Sequence, residues 1–375
     1  VSRLRISDTD IDRLARPEGV AEGAVLSVFR VPPELAGQRL DVFLQGQLRR
    51  TSRTRTQFIV RNSAFDVKGK RLRPNHRVQA EELVLLWRPP WDEDPVPTEV
   101  PILHEDPHLF AVDKPALLPV HPTARYHRNT LIKILKEARP GEFVSLGHRL
   151  DRETSGVLIC SKSAECDRSL KKQIEGRTGI DKTYRAITWG VPDPSRATEL
   201  DAVVTPADDG PGAFRFERSL ELDTEGRYRV KMRLGRTKDA LSASTRFLVE
   251  GTRTMPDGRS YSLVRCELET GRQHQIRVHL ASLGAPIVGD KLYGPDETCF
   301  ARAADGELTE DDLVKLELPR HALHAARLSL THPMTGAPLS IEAPLPDDLH
   351  AFWTGLGGSS SSVEGAPLVS AREAG

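Results

Sequence analysis

Cysteine is scarce in this chain: four occur in 375 residues, Cys160, Cys166, Cys266 and Cys299, and no two form a CxxC pair. That count excludes a disulfide scaffold and leaves reduced, mostly buried thiols as the expectation. Long apolar runs are absent too. No stretch approaches the roughly eighteen uninterrupted apolar residues that a membrane span requires, and the opening residues do not read as a signal peptide. A cytoplasmic protein without membrane contact is expected. Metal-binding spacing is also missing. The histidine pairs His121/His127, His274/His279 and His321/His324 tempt a metallo-hydrolase reading, but none reproduces HExxH or a Cys/His ligand pattern. Neither a metal nor a cofactor is expected, and no internal repeat is visible.

Net charge is absent as well, with 53 Lys and Arg against 53 Asp and Glu. Taken alone, that balance argues against a nucleic-acid binder. Its distribution reverses the argument. Residues 38–90 hold twelve Lys and Arg, among them Arg39, Arg53, Arg55, Lys68 and Lys70, against only Asp41, Asp66, Glu81 and Glu82. Acidic residues gather instead in 199–209 and 305–317. A concentrated basic segment attached to a neutral remainder suits a polyanionic partner.

What is present is a nine-residue string, His148-Arg149-Leu150-Asp151-Arg152-Glu153-Thr154-Ser155-Gly156, that leads into the apolar Val157-Leu158-Ile159-Cys160. A carboxylate between two arginines has its charged form favoured, so Asp151 is expected to be ionised at neutral pH and available as nucleophile or base. Further on stand Lys182-Thr183-Tyr184-Arg185-Ala186 and then Leu268-Glu269-Thr270-Gly271-Arg272-Gln273-His274-Gln275-Ile276-Arg277-Val278-His279-Leu280. Pro286-Ile287-Val288-Gly289-Asp290 and Leu292-Tyr293-Gly294 follow.

This ordered series resembles the RluA-type pseudouridine synthases, with their HRLDxxTSG, KxYxA and LETGRxHQIRxHL segments. Asp113-Lys114-Pro115 and Pro119-Val120-His121-Pro122 resemble the family's NKPxGxxVHP stretch, with Asp113 in place of the usual asparagine. Leu323-His324-Ala325, His332-Pro333 and Ala343-Pro344-Leu345-Pro346 match its closing pattern. The resemblance covers roughly residues 101–350. It implies an RNA pseudouridine synthase in which Asp151 is the catalytic carboxylate. Tyr184 would offer uracil a stacking face and a phenolic oxygen able to accept the late proton, and Arg277 would pair with Asp151. Arg149 would fill the space of a nucleotide turned out of its stack. His148 and His274 are expected to be hydrogen-bonded structural residues.

Residues 38–70 read as a helix, a second helix, a strand and a glycine turn. Leu40, Phe43 and Leu44 share one helix face, and Thr51-Ser52 can cap a second helix that buries Phe58-Ile59-Val60 while Arg53, Arg55 and Arg61 project outward. This resembles the small RNA-binding module named after ribosomal protein S-four. Asn62-Ser63 stands where that module has glycine, and Lys68 where it has asparagine. The resemblance implies RNA contacts from Arg39, Ser52, Arg53, Arg55, Lys68 and Lys70.

The expected organisation is a flexible leader over 1–25, an S-four-like module over 26–90 and a proline-rich linker over 91–100. A catalytic domain over 101–353 and a flexible tail over 354–375 complete it. Many short strand-like runs with scattered helices predict an α+β class, a mixed and largely antiparallel sheet, with a small N-terminal α/β module. A monomer is the expected state. The basic module favours large-subunit ribosomal RNA over transfer RNA as substrate. A catalytically silent RNA-binding or ribosome-assembly factor on the same fold is the reading from another class.

Overall fold

The computed structural model describes residues 16–21, 24–48, 52–88, 93–123, 126–176, 179–357 and 359–362. Most of the expected leader, Arg49, Arg50 and Thr51, residues 89–92 at the end of the expected module and the start of the linker, and the tail beyond Ser362 lie outside them. The chain divides into two compact units, residues 1–94 and 95–375.

The first unit contains strand β1 (Val25–Arg30), helices α1 (Leu40–Gln47) and α2 (Arg53–Ser63), and strands β2 (Ala64–Phe65) and β3 (Leu83–Arg88). The strands form an antiparallel sheet in the order β1-β3-β2. Leu40, Phe43 and Leu44 bury together with Val60, Val84 and Leu86 in a core of this unit's own. Ser52 caps α2, its Oγ accepting from the Arg55 amide at 3.2 Å, which satisfies one of the open donors of the first turn. The expectation for Phe58 is corrected: Val60 is buried and Ile59 half-buried, but Phe58 is 55% exposed. The reason is helical geometry. Thr56 and Val60 face the core, and a residue two positions from each lies about 200° round the helix.

The second unit is built on a twelve-stranded sheet. Its elements in chain order are β4 (Ile102–Glu105), β5 (Leu109–Lys114), helix α3 (Leu131–Ala138), β6 (Ser145–Leu146) and β7 (Ser155–Ser161). Helix α4 (Ala164–Gly176) and strands β8 (Ile180–Trp189), β9 (Val203–Pro206) and β10 (Phe214–Glu217) follow, then a separate two-stranded ribbon of β11 (Leu220–Leu222) and β12 (Met232–Leu234). β13 (Ser244–Thr254), β14 (Ser260–Leu268), α5 (Gln275–Ser282), α6 (Thr298–Asp305), α7 (Glu310–Leu316), β15 (Leu323–Thr331), β16 (Pro338–Glu342), α8 (Asp347–Gly355) and β17 (Ser359–Ser362) complete it.

The main strand order is β4-β5-β7-β15-β8-β14-β13-β10-β9, and every pairing is antiparallel except β7 with β15. The α+β expectation therefore holds, with the sheet mixed at one junction. The tail reading is corrected in part, because Ser359–Ser362 pairs with Gly251 to Thr254 of β13. The far half of β13 has β14 on one side only, since β10 reaches no further than Phe247, and its open backbone groups accept the extra strand. No described helix is long and apolar enough to cross a membrane.

Two features of the sheet place the signature string. β8 lies between β14 and β15, so Tyr184 sits opposite Cys266 on one side and Ala325 on the other. β7 opens with Ser155 and Gly156, which meet His324 and Ala325 of β15. The loop ending in Asp151 is thereby delivered beside the centre of the sheet.

Candidate active site

Residues far apart in sequence, chiefly 147–151, 180–182 with Tyr184, and 267–277, line a cleft of about 720 Å³. Asp151, Tyr184, Arg277 and Arg149 all face it. Asp151 keeps about a quarter of its side chain exposed, enough for a reactant to reach a carboxylate otherwise enclosed.

The arginines beside Asp151 in sequence are not the ones that hold it. No ion pair joins it to Arg149 or Arg152; the Arg152 guanidinium lies 5.4 Å from the Tyr126 ring instead. Arg277 Nη1 donates to Asp151 Oδ2 at 3.0 Å, and His274 Nε2 lies 3.8 Å from the same oxygen. Burial works against ionisation of Asp151, but positive charge on His274 when that ring is protonated, and the charge and hydrogen bond of Arg277, oppose it and hold the carboxyl below the usual range. Burial also pushes His274 down to about 4. At neutral pH this imidazole is therefore uncharged, and Arg277 is the standing cation.

Arg277 is itself held. Its Nε and Nη2 donate to Asp290 Oδ2 and Oδ1 at 2.6 and 2.9 Å, a bidentate pair deep in the protein. Asp290 Oδ1 also accepts from the amides of Leu292 and Tyr293. The guanidinium carbon is 5.0 Å from the Tyr293 ring centroid. One face of Arg277 is thus fixed by a planar carboxylate and an aromatic, which aims the remaining Nη1 at Asp151.

The Thr270 to Arg277 segment explains its own residue types. Gln275 Oε1 accepts from the Thr270 hydroxyl and the Arg272 amide, and its Nε2 donates to Ser244 O and Thr245 Oγ1. These bonds tie the loop to β13 before α5 begins. His274 occupies the left-handed region at φ 56°, uncommon for a non-glycine residue, at the start of that helix. Tyr293 Oη accepts from the Met232 amide at 2.8 Å and shares a second hydrogen bond with His274 Nδ1 at 2.9 Å, which fixes the orientation of the imidazole beside Asp151.

Behind the signature loop a second network locks the chain. Glu153 accepts from Lys291 Nζ at 2.9 Å and from the His321 amide at 3.0 Å. Thr154 Oγ1 bonds His321 Nε2, and Ser155 Oγ bonds His324 Nδ1. Lys114 is fully buried, and its ammonium donates to the carbonyls of Pro115, Leu118 and Arg152. Gly156 stands at φ 110°, where a Cβ would lie 2.2 Å from the Ala325 carbonyl oxygen. The last residues of the string thus serve packing, and Asp151 and Arg149 face the cleft.

Tyr184 is buried in the cleft wall, and burial followed by the charge of Asp151 pushes its phenol up, so the resting hydroxyl is neutral. His148 is a correction. The expectation was a hydrogen-bonded residue, but neither ring nitrogen has a side-chain or well-formed backbone partner, and burial lowers it to about 3. His279 bonds Thr245 Oγ1 and Arg218 O. Asp290, Tyr293, Glu153 and Gln275 received no role from sequence reasoning, although each lies within a quoted segment. Their neighbouring glycines were the available signal: Gly289 and Gly294 approach backbone so closely that a Cβ would fall 2.0 and 2.2 Å from a carbonyl oxygen.

Asp296, Cys299 and Asp312 lie close enough to suggest a cation site, but Arg302 already fills it. Its Nε and Nη2 donate to Asp312 at 2.7 and 2.6 Å.

In the first unit, Arg39 makes a bidentate pair with buried Asp41, and the Ser52 hydroxyl is spent on its cap. Each is thus engaged within the unit, while Ser52 stays exposed and Arg39 partly so. Arg53, Arg55, Lys68 and Lys70 are exposed, the two lysines on a turn whose amides both donate to Asp66 Oδ1.

A family model described as RNA pseudouridylate synthase matches residues 108–282. The chain is 33% identical over 329 residues to the ribosomal large subunit pseudouridine synthase D of Neisseria meningitidis serogroup A, covering 85% of this chain and 79% of that protein. This chain belongs to the RluA-type RNA pseudouridine synthases. The synthase D of Nitrosomonas europaea is likewise 33% identical, with 94% of this chain and 96% of the relative covered. An uncharacterized RNA pseudouridine synthase of Chloroflexus aurantiacus is 32% identical over 86% of this chain and 91% of its own. In fold, the chain is similar to the solved structure of human RNA pseudouridylate synthase domain containing 1, with a TM-score of 0.50, 21% identity, and 73% of this chain and 94% of that one covered.

Proposed function

We propose that this pseudouridine synthase modifies large-subunit ribosomal RNA in the cytoplasm, with Asp151 as its catalytic carboxylate. The observation that carries the assignment is the chain Asp290 to Arg277 to Asp151, which presents one ionised and partly open carboxylate in the cleft beside Tyr184. The reaction breaks the bond from ribose C1′ to uracil N1 and forms one from C1′ to C5. N1 gains a proton and C5 loses one, so no atom enters or leaves. Asp151 meets the ribose as nucleophile or as base. Tyr184 offers the uracil a stacking face, and Arg149, exposed at the mouth, fills the place of the extruded nucleotide.

Large-subunit ribosomal RNA is favoured over transfer RNA by the names of the relatives matched along most of their length and by the exposed basic residues of the N-terminal unit. The unit reads as an S-four-like RNA contact through Arg53, Arg55, Lys68 and Lys70.

Two measurements test this. Asp151→Asn should keep its circular dichroism and RNA affinity yet release no tritium from RNA labelled at C5 of uridine, because the amide is neither nucleophile nor base. Multiple turnover by that variant overturns the assignment. Mapping pseudouridines in a strain lacking the protein should show loss in large-subunit ribosomal RNA; a loss confined to transfer RNA overturns the substrate.

A further inference from the structure

Phe58 is the one residue of α2 whose exposure its chemistry does not explain. It is 55% exposed in a helix otherwise divided cleanly between a buried face of Thr56, Val60 and Ser63 and a polar one. Its neighbours one turn away are Thr54, Arg55, Arg61 and Asn62, all exposed, so the ring has no apolar partner on the helix surface. Arg55 places its guanidinium carbon 5.2 Å from the ring centroid. The Asn62 side chain is turned back onto the Phe58 carbonyl at 2.7 Å. The result is an aromatic face set among cations on a rigid, capped helix.

We infer that Phe58 is a stacking platform for an unpaired base of the substrate RNA, with Arg55 and Arg61 placed to meet the flanking phosphates. This rests on the reading of the N-terminal unit as an RNA contact and deepens it. Charge complementarity selects the occupant, because the exposed residues around the ring are cationic or neutral and RNA is the polyanion this enzyme handles. A protein partner or a second copy of this neutral chain would gain nothing from those cations. Stacking is tolerant of base identity, since every base has a π-face, so Phe58 strengthens binding of a splayed strand without reading its sequence. The surrounding arginines act through charge and carry the salt dependence.

The test uses the full chain and an in vitro transcript of the large-subunit ribosomal RNA of the source organism. Phe58→Ala should weaken binding roughly 5- to 100-fold, as loss of one base stack does, while the slope of log K against log salt stays unchanged. Phe58→Tyr should bind as the parent does, and Phe58→Leu should bind like Phe58→Ala. Arg53→Ala with Arg61→Ala, neither of which touches the ring, should make the salt slope shallower. Normal binding by Phe58→Ala alongside a shallower slope in the arginine variant overturns the stacking proposal and leaves the RNA-contact reading standing. No change in either variant overturns both. Full affinity in Phe58→Leu, or an altered sedimentation coefficient in Phe58→Ala, reassigns the ring to an apolar or protein contact and also overturns it. The side chain is exposed, so circular dichroism of each variant should match the parent.

Discussion

Asp151 and Tyr184 influence one another through charge. Burial and then the Asp151 carboxylate keep the Tyr184 phenol protonated in the resting enzyme. Any step that consumes the Asp151 charge, by bonding to the sugar or by taking a sugar proton, removes the second of these causes. The phenol then gives up its proton more readily, and once it has passed that proton on, its oxygen can take the one that must leave C5. Tyr184→Phe should therefore lower kcat by about 100-fold or more while RNA affinity stays within about 2-fold, since the stacking face survives. Single-turnover kinetics decide this, and an unchanged rate would strip the hydroxyl of any proton role. Asp290 acts one residue further back. Asp290→Asn leaves the buried Arg277 without its bidentate carboxylate, which should cost about 3–5 kcal/mol of stability. Loss of aim at Asp151 should lower kcat about 100-fold. Urea unfolding and the same kinetics read both effects; parent-like kcat would show that Arg277 holds its place without Asp290.

At the scale of elements, the junction of β7 with β15 is the point on which the signature loop hangs. Gly156 passes so close to Ala325 that no Cβ fits, and its φ of 110° is strained for any other residue. Gly156→Ala should lower the free energy of unfolding by at least about 3 kcal/mol, with little change in m-value. A midpoint in urea equal to that of the parent would refute the close approach. Period-2 and helical patterns made β5, β7, β8, β14, β15, α4 and α5 legible, because each buries one regular face. α3, α6, α7 and α8 were not anticipated. Signals were there, in the one-turn spacing of buried Leu131 and Leu135 in α3 and the Thr309 to Asp312 capping box of α7, but each helix is only seven to nine residues long, too short to be stable without tertiary packing. Phe58 was misplaced for a related reason: three consecutive apolar residues cannot all face one side of a helix.

Across the whole molecule, burial sets a common pH response. His274, His279, His321 and His324 are each lowered to about 4, and His148 to about 3, from an ordinary 6.5. Between pH 6.5 and 4 the unfolded chain binds protons on these rings that the folded chain does not. Acidification through that window therefore favours unfolding, each ring contributing up to about 1.4 kcal/mol per pH unit. Asp113, raised to about 6 by burial, acts in the opposite direction but supplies one proton against five. Below pH 4 the lowered carboxyls of Asp151 and Asp290 extend the loss. The Tm should fall steeply from pH 6.5 to 4 with net proton uptake on unfolding at pH 5; a flat Tm across that interval would contradict the buried neutral imidazoles.

The sequence by itself determined the fold class and the reaction family, because an ordered series of motifs over some 250 residues constrains both far more than any single pattern. It also marked the cleft residues Asp151, Tyr184, Arg277 and Arg149. The resemblance already named Arg277 as the partner of Asp151; the tertiary structure alone decided how that guanidinium is aimed and that the adjacent arginines do not share the role. Arg149 and Arg152 are its neighbours along the chain, yet the guanidinium at 3.0 Å belongs to Arg277, 126 residues away, aimed by Asp290 and Tyr293. Adjacent residues on an irregular loop point in different directions, so proximity in sequence says little about which charges meet. Electrostatic partnership inside a protein is a property of distance and burial, and both arise when separate strands and helices close around one cleft.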